Sequence, residues 1–357
     1  MAGSSSSKWS RTPVQSLPIH PRILSALRKG GILHVSSVLE ESCSGLGRRT
    51  GLSEAEVKGL VSEVARAVLA GSPSPSTALS LYLTGQSQHC WGRLSVGCGL
   101  LDSSLRGGLL VSGLTEIAGI SAAGKTQLCL QLCLTAQLPR THGGLSSGAV
   151  YICTQDVFPT KRLRQLTQYF SQRHTHSHPS LTAQHLSDNI FVEHVATISS
   201  LTAQLEYKLP ALLSTGRVGV VIIDSIAALF RAEYGAGQAA QRAAVLQTCG
   251  ARLHHLSASY GVAVVCVNQV TAVMEERGGG VAPALGLAWA SLVTSRITLS
   301  RDETVHSNLD CCKVPTAVKR ELEVVFAPHL PPVSVDYYVT SAGIHGNQNM
   351  ANCCPAT

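Results

Sequence analysis

Apolar positions follow two patterns along this chain. Ala149–Thr154, Val218–Ile223 and Val262–Val267 are short, continuous apolar runs. Such runs suit parallel strands covered on both faces, because neither face meets water. Ser291–Leu299 and Val335–Thr340 read as further strands. Segments with helical spacing lie between the runs, which predicts βαβ units and an α/β sheet. Residues 15–70 are different. Pro21–Leu27 spaces its apolar residues as a helix does and stops near Gly30-Gly31. Ile32–Leu39 is a second apolar run, and Gly45 and Gly47 mark a turn. Ser53 with Glu56 forms a capping box before a helix whose Val57, Leu60, Val61, Val64 and Val68 share a face.

These patterns divide the chain. Residues 1–14 read as a disordered leader and 15–70 as a small helical domain of helix-hairpin-helix type. Residues 71–92, with Gly71, Pro73, Pro75 and several serines, read as a linker. Residues 93–346 form the α/β core, and 347–357 a disordered tail. No apolar run approaches the roughly 18 residues of a membrane span, so no membrane partner is expected.

Composition adds a few limits. Of 357 residues, 45% are apolar and 14% charged, a globular balance. The net charge of +7 permits contact with nucleic acid without requiring it. Cys129, Cys133, Cys153 and Cys266 lie in apolar segments and read as reduced core thiols. Cys311-Cys312 and Cys353-Cys354 lack zinc-knuckle spacing. His174, His176 and His178 alternate in a polar stretch, which predicts a solvated loop. Met1–Pro13 is Ser-rich and basic. A mitochondrial transit peptide shares that composition, but a disordered leader is the simpler reading.

The chemistry concentrates in Gly119-Ile120-Ser121-Ala122-Ala123-Gly124-Lys125-Thr126, which matches G-x-x-x-x-G-K-[ST]. Glycines let the backbone curl around an anion with its N–H groups turned inward. A helix beginning at Lys125 points its positive end at the same phosphates. Lys125 is expected at the β- and γ-phosphates of ATP, and the Thr126 hydroxyl on Mg²⁺. Leu114–Ala118 can be the preceding strand and Gln127–Leu134 the following helix. Val220–Ile223 then delivers Asp224 to a strand end, where a carboxylate can orient Mg²⁺ or cap the next helix.

Several stretches together resemble the eukaryotic RecA-type recombinases. They are Arg93–Gly97 with Leu101-Asp102 and Gly107-Gly108, the loop through Gln127, Tyr151–Thr154, Ile223–Arg231, Val267–Val270, Pro283–Trp289 and Ala342–Ile344. Gln137–Arg140, His142–Leu145 and Ala327–Pro332 resemble the paralogue branch of that family. The resemblance implies a RecA-like P-loop ATPase core that binds ATP and Mg²⁺. It implies a nuclear mediator of homologous-recombination repair of DNA double-strand breaks. The implied partners are the C-type recombinase paralogue in a heterodimer, the main recombinase, and single-stranded or branched DNA. An active DNA-dependent ATPase that pairs strands itself is the alternative.

Departures from the family pattern qualify this. Gln155 stands where the family has a glutamate that prepares the attacking water. An amide can hold that water but cannot take its proton. Asp156 is adjacent, but its offset predicts a side chain that points elsewhere. Gln269 matches the residue that senses the γ-phosphate, or is a structural amide. The DNA-facing loops match Glu233–Gln238, with Arg242 following, and Thr271–Pro283, with Glu275, Glu276 and Arg277. So few cations predict weak, salt-sensitive DNA binding. The family's linker phenylalanine falls near Pro75 and its acidic cap residue at Phe326, which argues against a homopolymer.

Overall fold

The structure is a computed structural model that describes residues 12–70, 77–83, 92–273, 280–305 and 318–346. The chain forms two compact units, Met1–Gly85 and Gln86–Thr357.

The first unit is helical: α1 (Pro21–Lys29), α2 (Val35–Glu40), α3 (Cys43–Thr50), α4 (Glu54–Ala70) and α5 (Ala78–Leu83). Pro21 opens α1, where a missing N–H costs nothing. The capping box forms: the Glu56 carboxylate accepts from Ser53 N at 2.9 Å, and Ser53 Oγ accepts from Glu56 N at 3.4 Å. Leu27, Ile32, Val35, Val38, Leu46, Val57, Leu60 and Val64 bury together. Gly45 and Gly47 do not make the expected turn; they lie inside α3. Ser42 caps this helix by accepting from Gly45 N, and Gly51 ends it at φ +70°. A side chain at Gly45 would press on Glu41, so the glycine serves close packing. Helix α5 interrupts the expected linker, started by Thr77 accepting from Ser80 N.

The second unit opens with β1 (Arg93–Leu94), α6 (Gly99–Ser104) and β2 (Leu109–Leu110). Next come β3 (Leu114–Gly119), α7 (Lys125–Thr135), β4 (Gly148–Cys153), α8 (Thr160–His174), α9 (Ala183–Asp188) and β5 (Ile190–His194). Helices α10 (Ile198–Ala203) and α11 (Leu209–Leu213) lead to β6 (Val218–Asp224), α12 (Ile226–Glu233), α13 (Ala239–Tyr260) and β7 (Ala263–Val267). The hairpin β8 (Val270–Val273) and β9 (Gly280–Pro283) precedes α14 (Gly286–Ala290). Strands β10 (Ser295–Val305), β11 (Val318–Phe326), β12 (Val333–Thr340) and β13 (Gly343–Gly346) follow.

A nine-stranded sheet orders these as β13-β12-β11-β10-β3-β7-β6-β4-β5. The strands from β10 to β5 run parallel, and beyond β10 the strands β11, β12 and β13 follow in turn, each antiparallel to the one before. Side chains alternate between two apolar layers. Tyr151, Val220, Ile222 and Val265 face the layer holding α7 and α8. Ile152, Val221, Ile223 and Val264 face the layer holding α12, α13 and Trp289. This double burial is why those strands read as unbroken apolar runs.

Two expectations shift. Strand β10 starts at Ser295, not Ser291, because Ser291 caps α14 and Leu292 and Val293 pack beside Trp289. The histidine stretch is not a fully solvated loop. His174 closes α8 with its ring 4.6 Å from Phe170 and 6.4 Å from His178, and His178 meets His142 at 4.6 Å. Burial, helped by Arg173, holds His174 below the usual imidazole range. Among the described residues no cluster of metal-binding type occurs, and no helix is long and apolar enough to cross a membrane. Cys129, Cys133, Cys153 and Cys266 are buried free thiols. The paired cysteines at 311–312 and 353–354, the leader through residue 11, Pro75 and the tail lie outside the described residues.

Candidate functional site

The parallel strands end on one edge of the sheet and place their following loops around one cleft of about 1050 Å³. Strand β3 feeds Gly119–Thr126 into it, and α7 begins at Lys125. Gly119 pairs with Leu299 of β10, and a Cβ there would fall 2.2 Å from the Leu299 carbonyl oxygen. Gly124 adopts φ +111°, a conformation open to glycine and costly for other residues. Ala122 is held at φ +60°. The Lys125 ammonium donates to the carbonyls of Gly119 at 2.8 Å and Ile120 at 2.7 Å. Among the described residues no carboxylate pairs with it. Burial pushes its pKa down, partly offset by Asp224.

Strand β6 places Asp224 opposite. Its Oδ2 accepts from Thr126 Oγ1 at 2.7 Å and from the Tyr151 hydroxyl at 2.6 Å. Burial, Cys129 and Asp224 push the Tyr151 phenol far above its ordinary range, so it stays a donor. Asp224 does not cap α12; Ser225 holds that position, without a side-chain capping bond. Ser225 is fixed instead through Thr154, which accepts from its N–H at 2.8 Å and donates to its carbonyl at 2.7 Å.

Gln155 and Gln269 meet at the mouth. Gln269 Nε2 donates to Gln155 Oε1 at 2.9 Å, and Arg231 donates to Gln269 Oε1 at 2.7 Å. Asp156, expected to point away, lines the same cleft. The strand ends at Cys153, so the alternation behind that expectation no longer applies.

Three further residues, Arg162 and Arg320 in the cleft wall and Tyr337 behind it, were not marked in the sequence. Arg162 of α8 donates to Gln127 Oε1 at 2.6 Å and to the Thr340 carbonyl at 2.6 Å. Arg320 of β11 reaches the Ala122 carbonyl at 3.3 Å, and Tyr337 of β12 donates to the Ala123 carbonyl at 2.5 Å. Each comes from a segment remote in sequence, with no local motif to mark it.

The DNA candidates are not brought into this cleft. Arg242 is half-buried in the first turns of α13, after a short 3-10 turn over Ala236–Gln238. Arg277, with Glu275 and Glu276, lies outside the described residues between β8 and β9.

The residues present fit a nucleotide with a divalent ion. The loop turns a glycine-dependent curve at the start of an eleven-residue helix. Its lysine has only carbonyl partners to exchange for phosphate oxygens. A hydroxyl and a carboxylate already converge where an octahedral cation takes oxygen ligands.

Residues 90–346 match the Rad51 family. The chain is 42% identical over 337 residues to the DNA repair protein XRCC3 of Bos taurus, covering 92% of this chain and 96% of that protein. Identity to the DNA repair protein XRCC3 of Mus musculus is 40% over 347 residues, covering 93% and 97%. The DNA repair protein XRCC3 homolog of Arabidopsis thaliana is 33% identical over 285 residues, covering 71% and 92%.

Proposed function

Because the chain belongs to the Rad51 family, we propose that it is a DNA-repair recombinase paralogue whose cleft binds ATP with Mg²⁺ and hydrolyses it slowly. The observation that carries this reading is the contact of Thr126 with Asp224 at 2.7 Å beside the Gly119–Thr126 loop. ATP supplies the phosphoanhydride, and Mg²⁺ supplies charge neutralisation at the phosphates. Lys125 and the loop N–H groups bind the phosphates, and Thr126 and Asp224 hold the metal. Gln155 can orient a water at the γ-phosphate but cannot accept its proton. Losing a positioned base costs about 10²–10⁴ in rate.

In this reading ATP acts chiefly as a clamp on assembly. The chain pairs with the C-type recombinase paralogue and acts in the nucleus, on main-recombinase filaments or on single-stranded or branched DNA. The similarity to DNA repair proteins over nearly the whole chain supports a repair role. Phe326, 36% exposed, replaces a charged cap residue and favours a defined hetero-complex over a filament.

One observation favours a second reading. Asp156 lines the same cleft as Gln155, and a carboxylate there can take a proton. The chain would then be an active DNA-dependent ATPase. Single-turnover hydrolysis of bound ATP, with and without single-stranded DNA, separates the two in protein purified with its paralogue. Lys125→Ala is the control. Tight binding with negligible turnover supports the clamp; fast, DNA-stimulated turnover supports the enzyme.

A further inference from the structure

A buried carboxylate ties the phosphate loop's strand to the hairpin that follows the cleft. Glu116 of β3 is fully buried, three positions before Gly119. Burial of a carboxylate is costly unless each lone pair is matched. Here its Oε1 accepts from Asn268 Nδ2 at 2.6 Å and from the Trp289 indole N–H at 2.8 Å. Its Oε2 accepts from Arg296 Nε.

The three donors come from three different elements. Asn268, also fully buried, follows β7 and immediately precedes Gln269. The same Asn268 amide donates to the Ala284 carbonyl at 2.8 Å, and Ala284 N donates to the Gln269 carbonyl at 2.8 Å. Asn268 N donates to the Ile117 carbonyl at 2.9 Å. Both ends of the β8–β9 hairpin are therefore fastened at the point where the cleft-lining amide Gln269 leaves the sheet. Val270 and Val281 of that hairpin line the cleft itself. Trp289 belongs to α14, and Arg296 to β10, where its guanidinium lies 5.2 Å from the Phe326 ring.

We propose that Glu116 is a positioning residue that makes the phosphate-loop strand and the β8–β9 hairpin respond as one body to nucleotide in the cleft. It touches neither nucleotide nor DNA. It acts by holding Asn268 and Trp289 in one arrangement, so that a change at Gly119–Thr126 or at Gln269 reaches the hairpin through shared bonds. Rigid polar networks in a low-dielectric interior transmit displacement because each member has few alternative partners. Asn268 Oδ1 has no partner among the described residues, so its amide is held by the bonds it donates. The proposal rests on the nucleotide reading above.

Hydrogen exchange of the full chain with its paralogue tests it, with and without Mg²⁺ and a non-hydrolysable ATP analogue. Two regions are read together: the amides of Gly119–Thr126 and those of Val270–Val273 with Gly280–Ala284. In the wild type both slow on adding nucleotide, the hairpin by about tenfold, a usual size of coupling between sites. In Glu116→Gln and Trp289→Phe the phosphate loop still slows and the hairpin does not. Trp289→Phe keeps an aromatic ring and removes the indole donor, so it remains informative where Glu116→Gln fails to fold. A merely structural role would raise basal exchange everywhere and leave the nucleotide-dependent increment in place. Slowing of both regions in the folded variants overturns the proposal. Slowing of the loop alone in the wild type overturns it too, while leaving nucleotide binding intact. No slowing anywhere in the wild type overturns nucleotide binding and this proposal together.

Discussion

Gln269 donates through Nε2 to Oε1 of Gln155 at 2.9 Å, joining the ends of two parallel strands across the mouth of the cleft. Arg231 completes the line by donating to Gln269 Oε1. No carboxylate takes part in this line. In the reading proposed above, the two groups that would hold a water at the γ-phosphate are both amides, and they hold each other.

A carboxylate at position 155 would keep the bond from Gln269, because its oxygen accepts as the amide oxygen does. It would also take the proton from water. Gln155→Glu is therefore expected to raise single-turnover hydrolysis by about 10²-fold or more, with nucleotide affinity little changed. An unchanged rate would show that Asp156 or another group already supplies the base.

The close approach of Gly119 to β10 predicts a stability cost for any side chain there. Gly119→Ala puts a methyl 2.2 Å from the Leu299 oxygen, in backbone that pairs with β10 at that residue. The expected loss is about 1–3 kcal/mol in urea unfolding. A wild-type midpoint would mean that the β3–β10 pairing is looser than the structure has it.

His345 sets a pH dependence. Burial, with the positive charge of Arg173, lowers its pKa from the ordinary value of 6.5 to about 4. The unfolded chain then binds more protons than the folded one between those values. The stability is present above pH 6.5 and is lost as pH falls toward 4. His345→Gln is expected to reduce the drop in melting temperature between about pH 7 and about pH 5. Identical profiles for the two proteins would remove His345 as a source.

Among the described residues, Arg242 is the nearest cation after the first segment expected to face DNA. It lies half-buried in the first turns of α13. Arg242→Ala is expected to weaken single-stranded DNA binding for all sequences alike and to lower the salt slope by about one. An unchanged slope in a titration of affinity against salt would take Arg242 out of the interface.

Much of this was legible along the chain. The runs at β4, β6 and β7 announced themselves because both faces of each strand are covered, leaving no polar alternation. The Gly119–Thr126 loop was legible because its chemistry is local: glycine, lysine and threonine act within one turn of backbone. Gly45 and Gly47 misled because glycine also occurs inside helices, and only the packing shows it: Gly45 stands close against the Glu41 side chain. Ser291–Leu299 misled because Leu292 and Val293 are apolar for the sake of a helix end, not a strand.

The sequence by itself pointed to the family, to the core strands β4, β6 and β7, and to the residues expected to hold phosphate and metal. Each of those depends on near neighbours in the chain or on an ordered set of short motifs. Only the tertiary structure decided that Tyr151 shares Asp224 with Thr126, and that Arg162, Arg320 and Tyr337 line or brace the cleft. It alone decided that Glu116 unites Asn268, Trp289 and Arg296. A buried carboxylate must find its donors wherever the packed sheet brings them, and the sheet joins residues more than a hundred positions apart. No pattern of near neighbours carries that information.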